Sequence, residues 1–322
     1  MSATVTIPIA GFKDVYDVSI VEKALQELPT SANEALRAIY EKMVRLGGQR
    51  FTVKPSALPE MERLFEELPN FTAVLEDIRK HLALCVDSED SIELPPMLLL
   101  GEPGIGKTHF ARKLAALLGT GFGFVPMSSL TAGWVLSGAS SQWKNAKPGK
   151  VFDTFLNGEY ANPVIVVDEL DKASSDGQYD PLGALYELLE VETATRFIDE
   201  FVELPIDASG AVWLATANDS ARIPEPLLNR MTVYEIDAPD EAGSLRIARN
   251  IYSEIRSAHD WGRQFPETPS EDTLAKLASL PPREMRRVVQ SAFGTAKLAG
   301  RHEMQPDDVQ LNRGGRRARI GF

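Results

Sequence analysis

Cysteine occurs once in the 322 residues, at Cys85. That excludes an intramolecular disulfide and any Cys-rich zinc site. Its neighbours Leu82, Leu84 and Val86 are apolar, so a buried, inert thiol is expected. Long apolar runs are missing too: no stretch reaches the ~20 residues that a membrane-spanning helix needs. The first twelve residues lack a basic region followed by an apolar one, so no secretory signal is read there. Positive charge is in deficit, with 34 Lys and Arg against 46 Asp and Glu and a formal net charge of −12. This argues against a broad nucleic-acid-binding surface. There is no internal repeat and no low-complexity segment. What remains is an ordinary globular mix, 43% hydrophobic and 25% charged, long enough for about two domains with real cores. A soluble, cytoplasmic protein is expected.

Alternation at Val5, Ile7 and Ile9 suggests a short strand, weakened by Pro8. Ala35, Leu36, Ile39, Met43 and Leu46 fall on one face and predict a helix from Ser31 to Leu46, closed by Gly47-Gly48. A helical pair follows to Leu84, broken near Pro69-Asn70. Residues 1–68 are thus read as a mostly helical leader. From Pro95 the pattern changes. Met97–Leu100 is a short apolar run, as expected of a strand covered on both faces. Further strands are expected at 124–127, 164–167, 212–216 and 233–236, with a helix over 106–118. Five such runs with helical crossovers imply a parallel five-stranded sheet in a three-layer α/β domain over 69–239. Beyond Asp240 the signal is helical only, at 241–255, 270–279 and 283–299. Ser270 fits an N-cap, and Pro281-Pro282 precede the last helix at a favoured site. This is a small helical domain over 240–305, followed by a basic tail over 306–322.

Gly101-Glu102-Pro103-Gly104-Ile105-Gly106-Lys107-Thr108 matches G-x-x-x-x-G-K-[ST]. Glycines let the backbone wrap closely around phosphate oxygens, and amides at a helix start attract anions. Lys107 would place a cation on the outer phosphates, and the Thr108 hydroxyl would reach Mg²⁺. The context fits, with a strand before the motif and a helix after it. His109 comes next in the nucleotide-binding stretch, and a lone histidine is given no catalytic role. A second motif is the apolar run 163–167, which ends in Asp168-Glu169. In open α/β sheets ligands bind beyond the carboxyl ends of the strands. Asp168 can therefore sit in the Mg²⁺ shell, and Glu169 can polarise the attacking water of ATP hydrolysis. Asp171 and Lys172 continue the turn and are read as structural or inter-subunit.

Four motifs in order allow a family to be named: Asp168-Glu-Leu-Asp-Lys-Ala-Ser-Ser-Asp-Gly177, Asp180-Pro-Leu-Gly-Ala-Leu-Tyr-Glu-Leu-Leu-Glu190, Ala215-Thr-Ala-Asn218 and Ile223-Pro-Glu-Pro-Leu-Leu-Asn-Arg-Met231. Over about 70–299 the chain resembles the AAA+ module of Lon proteases. The resemblance implies a P-loop NTPase domain with a helical lid, an ATPase that uses ATP and Mg²⁺. It implies that Asn218 is the sensor that orients the attacking water. Arg230 looks like the arginine finger, which acts on the neighbouring subunit and so implies a ring, usually a hexamer. Arg283 looks like a second sensor that couples nucleotide state to the lid, with Arg286 as a competing candidate. In the 138–149 segment, Trp143 with Lys144 beside it corresponds to a pore loop that grips a translocating chain. A tryptophan suits that task, because it presents a large, rigid apolar face. The alternative is a Trp half-buried against the domain surface. Trp134 is expected in the core.

A Lon protease also carries a peptidase domain after its lid and a large front end. Here the chain runs to Phe322, and the expectation is a motor without its own peptidase. Arg313-Gly-Gly-Arg-Arg-Ala-Arg319 reads as a solvated tail, with a docking peptide or nucleic-acid contact as the alternative. Three functions compete. The preferred one is a ring motor that unfolds or remodels protein substrates, with a separate peptidase or adaptor as a candidate partner. The others are a DNA-acting motor of branch-migration or clamp-loader type and an ATP-dependent scaffold.

Overall fold

A computed structural model of the chain describes residues 9–29, 33–55, 57–129, 134–173 and 180–310. Val5 and Ile7 of the expected first strand, the helix start at Ser31, residues 174–177 of the Lon-like run and the basic run Arg313 to Arg319 lie outside the described residues. By contact the chain divides into two units. The first takes residues up to 61 with 73–101 and 107–236; the second takes 62–72, 102–106 and everything from 237 on.

All described strands belong to the first unit: β1 (Ile9–Asp14), β2 (Gln49–Val53), β3 (Met97–Leu100), β4 (Phe122–Pro126), β5 (Val164–Asp168), β6 (Phe197–Ile198), β7 (Pro205–Ile206), β8 (Val212–Ala217) and β9 (Thr232–Glu235). Five of them form a parallel sheet in the order β4-β5-β8-β3-β9. Every residue of β8 and all of Val164 to Val167 are buried, as a sheet covered on both faces requires. The edge strand β9 is mostly exposed. The order has a direct consequence for function: the carboxyl ends of β5, β8 and β3 lie side by side. They deliver Asp168, Asn218 and Gly101 to one crevice, although these residues are far apart in the chain.

The leader contributes β1 and β2, an antiparallel pair, and the helices Val18–Glu27 and Glu34–Leu46. Through Met61 it groups with the sheet unit rather than forming a body of its own. Val15, Val21, Leu36, Tyr40 and Met43 join the core that holds Ile165 and Trp213. The Tyr40 hydroxyl donates to Val202 O at 2.7 Å, and Arg50 donates to Phe155 O at 2.9 Å and Leu156 O at 3.1 Å. Val53 and the Asn162 side chain exchange two hydrogen bonds. Two short helices expose too much apolar surface to stand alone, and the sheet unit covers it. The thiol of Cys85 is buried, against the carbonyls of His81 and Ser91.

The second unit is helical, with Glu62–Glu67, Glu241–Ala258, Glu271–Ala278 and Pro282–Leu298. Tyr252, Leu277, Met285, Val289 and Phe293 centre its core, and the Tyr252 and Phe293 rings stack at 4.9 Å. Ser270 caps its helix by accepting from Thr273 N, and Pro282 opens the last helix. Among the described residues no helix is long and apolar enough to cross a membrane.

Candidate functional site

In the first unit, β3 ends at Leu100 and is followed by Gly101, whose N–H donates to Ala217 O at 3.2 Å, and the helix Lys107–Leu118 starts with the motif lysine. Lys107 is only 8% exposed. Its ammonium donates to Gly101 O at 2.5 Å and to Asn218 Oδ1 at 2.9 Å. Burial pushes its pKa below the usual lysine value, opposed by the charges of Asp171, Asp168 and Glu169, in that order. Next to it, Thr108 Oγ1 donates to Asp168 Oδ1 at 2.8 Å. Thr216 Oγ1 donates to the same oxygen at 2.8 Å and accepts from Glu169 N at 3.0 Å. Glu169 stands in the left-handed region, at φ 57° and ψ 50°, a conformation that costs a non-glycine residue about 1–3 kcal/mol. The turn that aims its carboxylate is therefore strained, and Thr216 is the side chain that ties it down.

Two residues of this site were not assigned to it from the sequence. Thr216 is 1% exposed inside an otherwise apolar strand. A polar side chain within a run such as Val-Trp-Leu-Ala-Thr-Ala is the signal that could have found it. Asp171 is 4% exposed, its carboxylate oxygens have no hydrogen-bond partner among the described residues, and Lys172 Nζ lies 3.3 Å away. Its influence on Lys107, the largest of the three acids, puts it in the electrostatics of the site.

The donor set fits a Mg-nucleotide. Among the described residues no group of three or more His, Cys, Asp or Glu could hold a metal. Mg²⁺ does not need one, since it takes one or two protein oxygens and fills its shell with water and phosphate. The Thr108 hydroxyl and the Asp168 carboxylate are adjacent hard oxygen donors of that kind.

Within the second unit, Gly104 and Gly106 take φ values of +87° and +108°. These curl the loop so that Glu102 and Pro103 are exposed while Ile105 is buried. Asn70 Nδ2 donates to Ile105 O at 3.3 Å. Arg283 lies against the same loop: a Cβ on Gly104 would come within 3.4 Å of Arg283 Cβ. Arg286 is engaged elsewhere, in an ion pair with Glu254 at 2.5 Å. His109 is exposed on the first turn of its helix.

Among the described residues Arg230 is not hydrogen-bonded to this cluster. Its Nε lies 2.8 Å from Glu190 Oε1, its Nη1 donates to Pro226 O at 2.7 Å, and its guanidinium lies over the Tyr186 ring at 5.7 Å. Trp143 and Lys144 are exposed at the tip of their loop. Trp134 is not a core residue: it is 39% exposed, as is Trp143, and the two rings meet edge-on at 5.4 Å. A four-residue helix at the loop's base, Trp134–Ser137, buries only Leu136 and Ser137 and leaves the first indole outside.

Comparison with known proteins points to one family of ATPases. The model of the ATPase family associated with various cellular activities (AAA) matches residues 97–237. Lon protease 1 of Bacillus subtilis is 32% identical over 256 residues, which are 77% of this chain and 32% of that protein. Lon protease 2 of Herpetosiphon aurantiacus is 31% identical over 204 residues, 63% of this chain and 25% of that protein. The chain thus spans about a quarter to a third of the length of these relatives. Among solved structures, Hsp104 with ATPγS and FITC-casein in a closed state has a similar fold, with a TM-score of 0.60 at 16% identity over 88% of this chain and 52% of that one. A Thermotoga maritima RuvB mutant reaches 0.51 at 15% identity, over 80% of this chain and 70% of that one. At these identities the likeness is one of fold.

Proposed function

From the premise that residues 97–237 are an AAA-family ATPase domain related to that of Lon proteases, we propose that this chain is an ATP-hydrolysing ring motor that unfolds or remodels protein substrates. The observation that carries the reading is the continuous network from Lys107 through Asn218, and from Thr108 through Asp168 and Thr216 to the Glu169 backbone. Lys107 and the loop N–H groups from Gly104 to Lys107 hold the triphosphate. Thr108 and Asp168 hold Mg²⁺, which when bound neutralises charge on the phosphate oxygens. Glu169 accepts the proton of the attacking water, and Asn218, already paired with the lysine, orients that water. Arg283, lying on Gly104, contacts the nucleotide from the lid.

Arg230 serves a neighbouring subunit in a ring, most simply a hexamer. In this chain it rests, half-buried, on Glu190 and Tyr186. A positioned arginine of this kind raises phosphoryl transfer by about 10³–10⁵. Trp143 and Lys144 present the gripping tip to a protein chain, in the cytoplasm. A DNA-acting motor has no further support, since the resemblance to RuvB is one of fold.

The test is the steady-state ATPase rate per subunit against protein concentration, with casein present or absent and Arg230→Ala alongside. The proposal expects a specific rate that climbs with concentration, rises with casein and stays near zero in Arg230→Ala. A rate that does not depend on concentration and survives the loss of Arg230 would remove the shared active site. A rate stimulated by DNA and indifferent to casein would replace the protein substrate with nucleic acid.

A further inference from the structure

Asp199 has no place in the ATPase chemistry, yet it is 0% exposed. Its carboxylate accepts from three backbone N–H groups on two segments. Oδ1 takes those of Phe201 at 2.9 Å and Val202 at 3.2 Å, closing the turn in which it stands. Oδ2 takes that of Gly149 at 2.7 Å. Gly149 ends the loop whose tip is Trp143, and Gly138, which begins it, lies against the same carboxylate.

Both glycines are required by close approach. A Cβ on Gly138, which has φ +80°, would lie 2.6 Å from Asp199 Oδ1; one on Gly149 would lie 2.1 Å from Leu136 O. Gly138 N donates to Trp134 O at 2.7 Å, and Glu200 N donates to Ser137 O at 2.6 Å. The base of the loop is thus gathered on one buried side chain. Further out, Ala139 N reaches Lys147 O, and Trp143 N donates to Ser140 O at 2.9 Å. The leader holds the loop as well, through Asn33 Nδ2, which donates to Ser141 O at 2.8 Å.

We propose that Asp199 is a positioning residue for substrate engagement, the clasp that closes the base of the 138–149 loop and presents Trp143 as a pre-ordered tip. This rests on the reading of Trp143 as the gripping residue. The physical logic is one of preorganisation. A loop of this length with an apolar tip would otherwise fold back or sample many states, and each lost fraction of the competent state weakens binding in proportion.

A buried carboxylate is a costly way to hold Gly149 beside Gly138. Burial pushes its carboxyl up to about 6, the amides of Gly149, Phe201 and Val202 pull it down, and the nearby charge of Asp153 raises it again. Asp153 in turn faces Lys150, Lys42 and Lys147. Charge-assisted acceptance from amides is what makes the arrangement tenable, and a neutral amide side chain could not reproduce it on both sides.

Asp199→Asn tests this. The amide oxygen keeps the turn to Phe201 and Val202, while the amide N–H₂ would face the Gly149 N–H, donor against donor. Gly149→Ala opens the same joint from the loop side. The full-length protein is labelled with 5-fluorotryptophan, and the Trp143 resonance is identified by its loss in Trp143→Phe. In both variants that resonance should shift or broaden while that of Trp213, buried in β8, stays put. The casein concentration for half-maximal ATPase stimulation should rise about tenfold, with the maximal stimulated rate within about twofold of wild type. An unchanged Trp143 resonance with unchanged casein dependence in both variants would overturn the clasp. Where Asp199→Asn disturbs Trp213 as well, Gly149→Ala decides between the two outcomes. A wild type that ignores casein, while both variants move the Trp143 signal, would keep the clasp and sink the gripping reading beneath it.

Discussion

Thr216→Val exchanges one hydroxyl for a methyl of nearly the same shape in a site that is 1% exposed, so it isolates two hydrogen bonds. The Glu169 N–H loses its acceptor, and among the described residues Asp168 Oδ1 keeps the donor from Thr108. A buried group left without its partner costs about 1–3 kcal/mol, and that loss falls on a backbone turn already strained by about 1–3 kcal/mol. The expected result is a protein less stable by about 1–3 kcal/mol in urea titration. Its kcat for ATP should be down about 10–100-fold, since about 1.4 kcal/mol on the barrier is tenfold in rate. The KM for ATP should stay within about threefold, because Lys107 and Thr108, the residues proposed to meet phosphate and metal, are themselves unchanged. Thr216→Ser, which keeps the hydroxyl, should recover most of the rate. A Thr216→Val enzyme with wild-type kcat and reduced stability would refute the reasoning and leave Thr216 as a folding contact. So would a Thr216→Ser enzyme as slow as Thr216→Val.

Lys107→Ala removes the buried ammonium that bridges Gly101 and Asn218; calorimetric titration should find ATP binding lost, and a normal isotherm would refute its role on the phosphates. Arg283→Ala should slow ATP turnover about tenfold, while Arg286→Ala, whose partner is the exposed Glu254, should change stability by at most about 1 kcal/mol and turnover hardly at all; the reverse ranking in ATPase assays would exchange their roles. Asp199 predicts a pH dependence. Its carboxyl is raised from 3.8 to about 6 in the folded chain, so its contribution to stability is full below the unfolded value and is lost as pH rises through about 6. Between about pH 4.5 and 7.5 this group should remove about 2 kcal/mol from wild type. The same decline should be absent from Asp199→Asn in urea midpoints, and parallel profiles would refute it.

The chemistry-bearing motifs were legible because each is local. Gly101–Thr108 is a loop followed by a helix start, and Asp168-Glu169 ends an apolar run; each pattern is set by residues a few places away. The five strands were legible for the same reason, since an apolar run such as Val164–Val167 can satisfy itself only inside a covered sheet. The strand over Gln49–Val53 was not foreseen, because Phe51 and Val53 are too few apolar positions to mark one without β1 beside it. Trp134 was expected inside, and its short helix turns it out onto Trp143.

By itself, then, the sequence determined the glycine-rich loop over 101–108, the acidic strand end, the α/β pattern with a helical lid, and a helix cap such as Ser270. These follow from contacts between near neighbours in the chain. The tertiary structure alone decided that Thr108 meets Asp168 across 60 residues and Lys107 meets Asn218 across 111. It also decided that Glu169 N donates to Thr216, that Arg283 rather than Arg286 lies on the Gly104 loop, that the leader through Met61 groups with the sheet unit, and that Asp199 accepts from Gly149 N. The order of strands in a sheet sets which chain ends become neighbours, and no periodicity within any one segment carries that order.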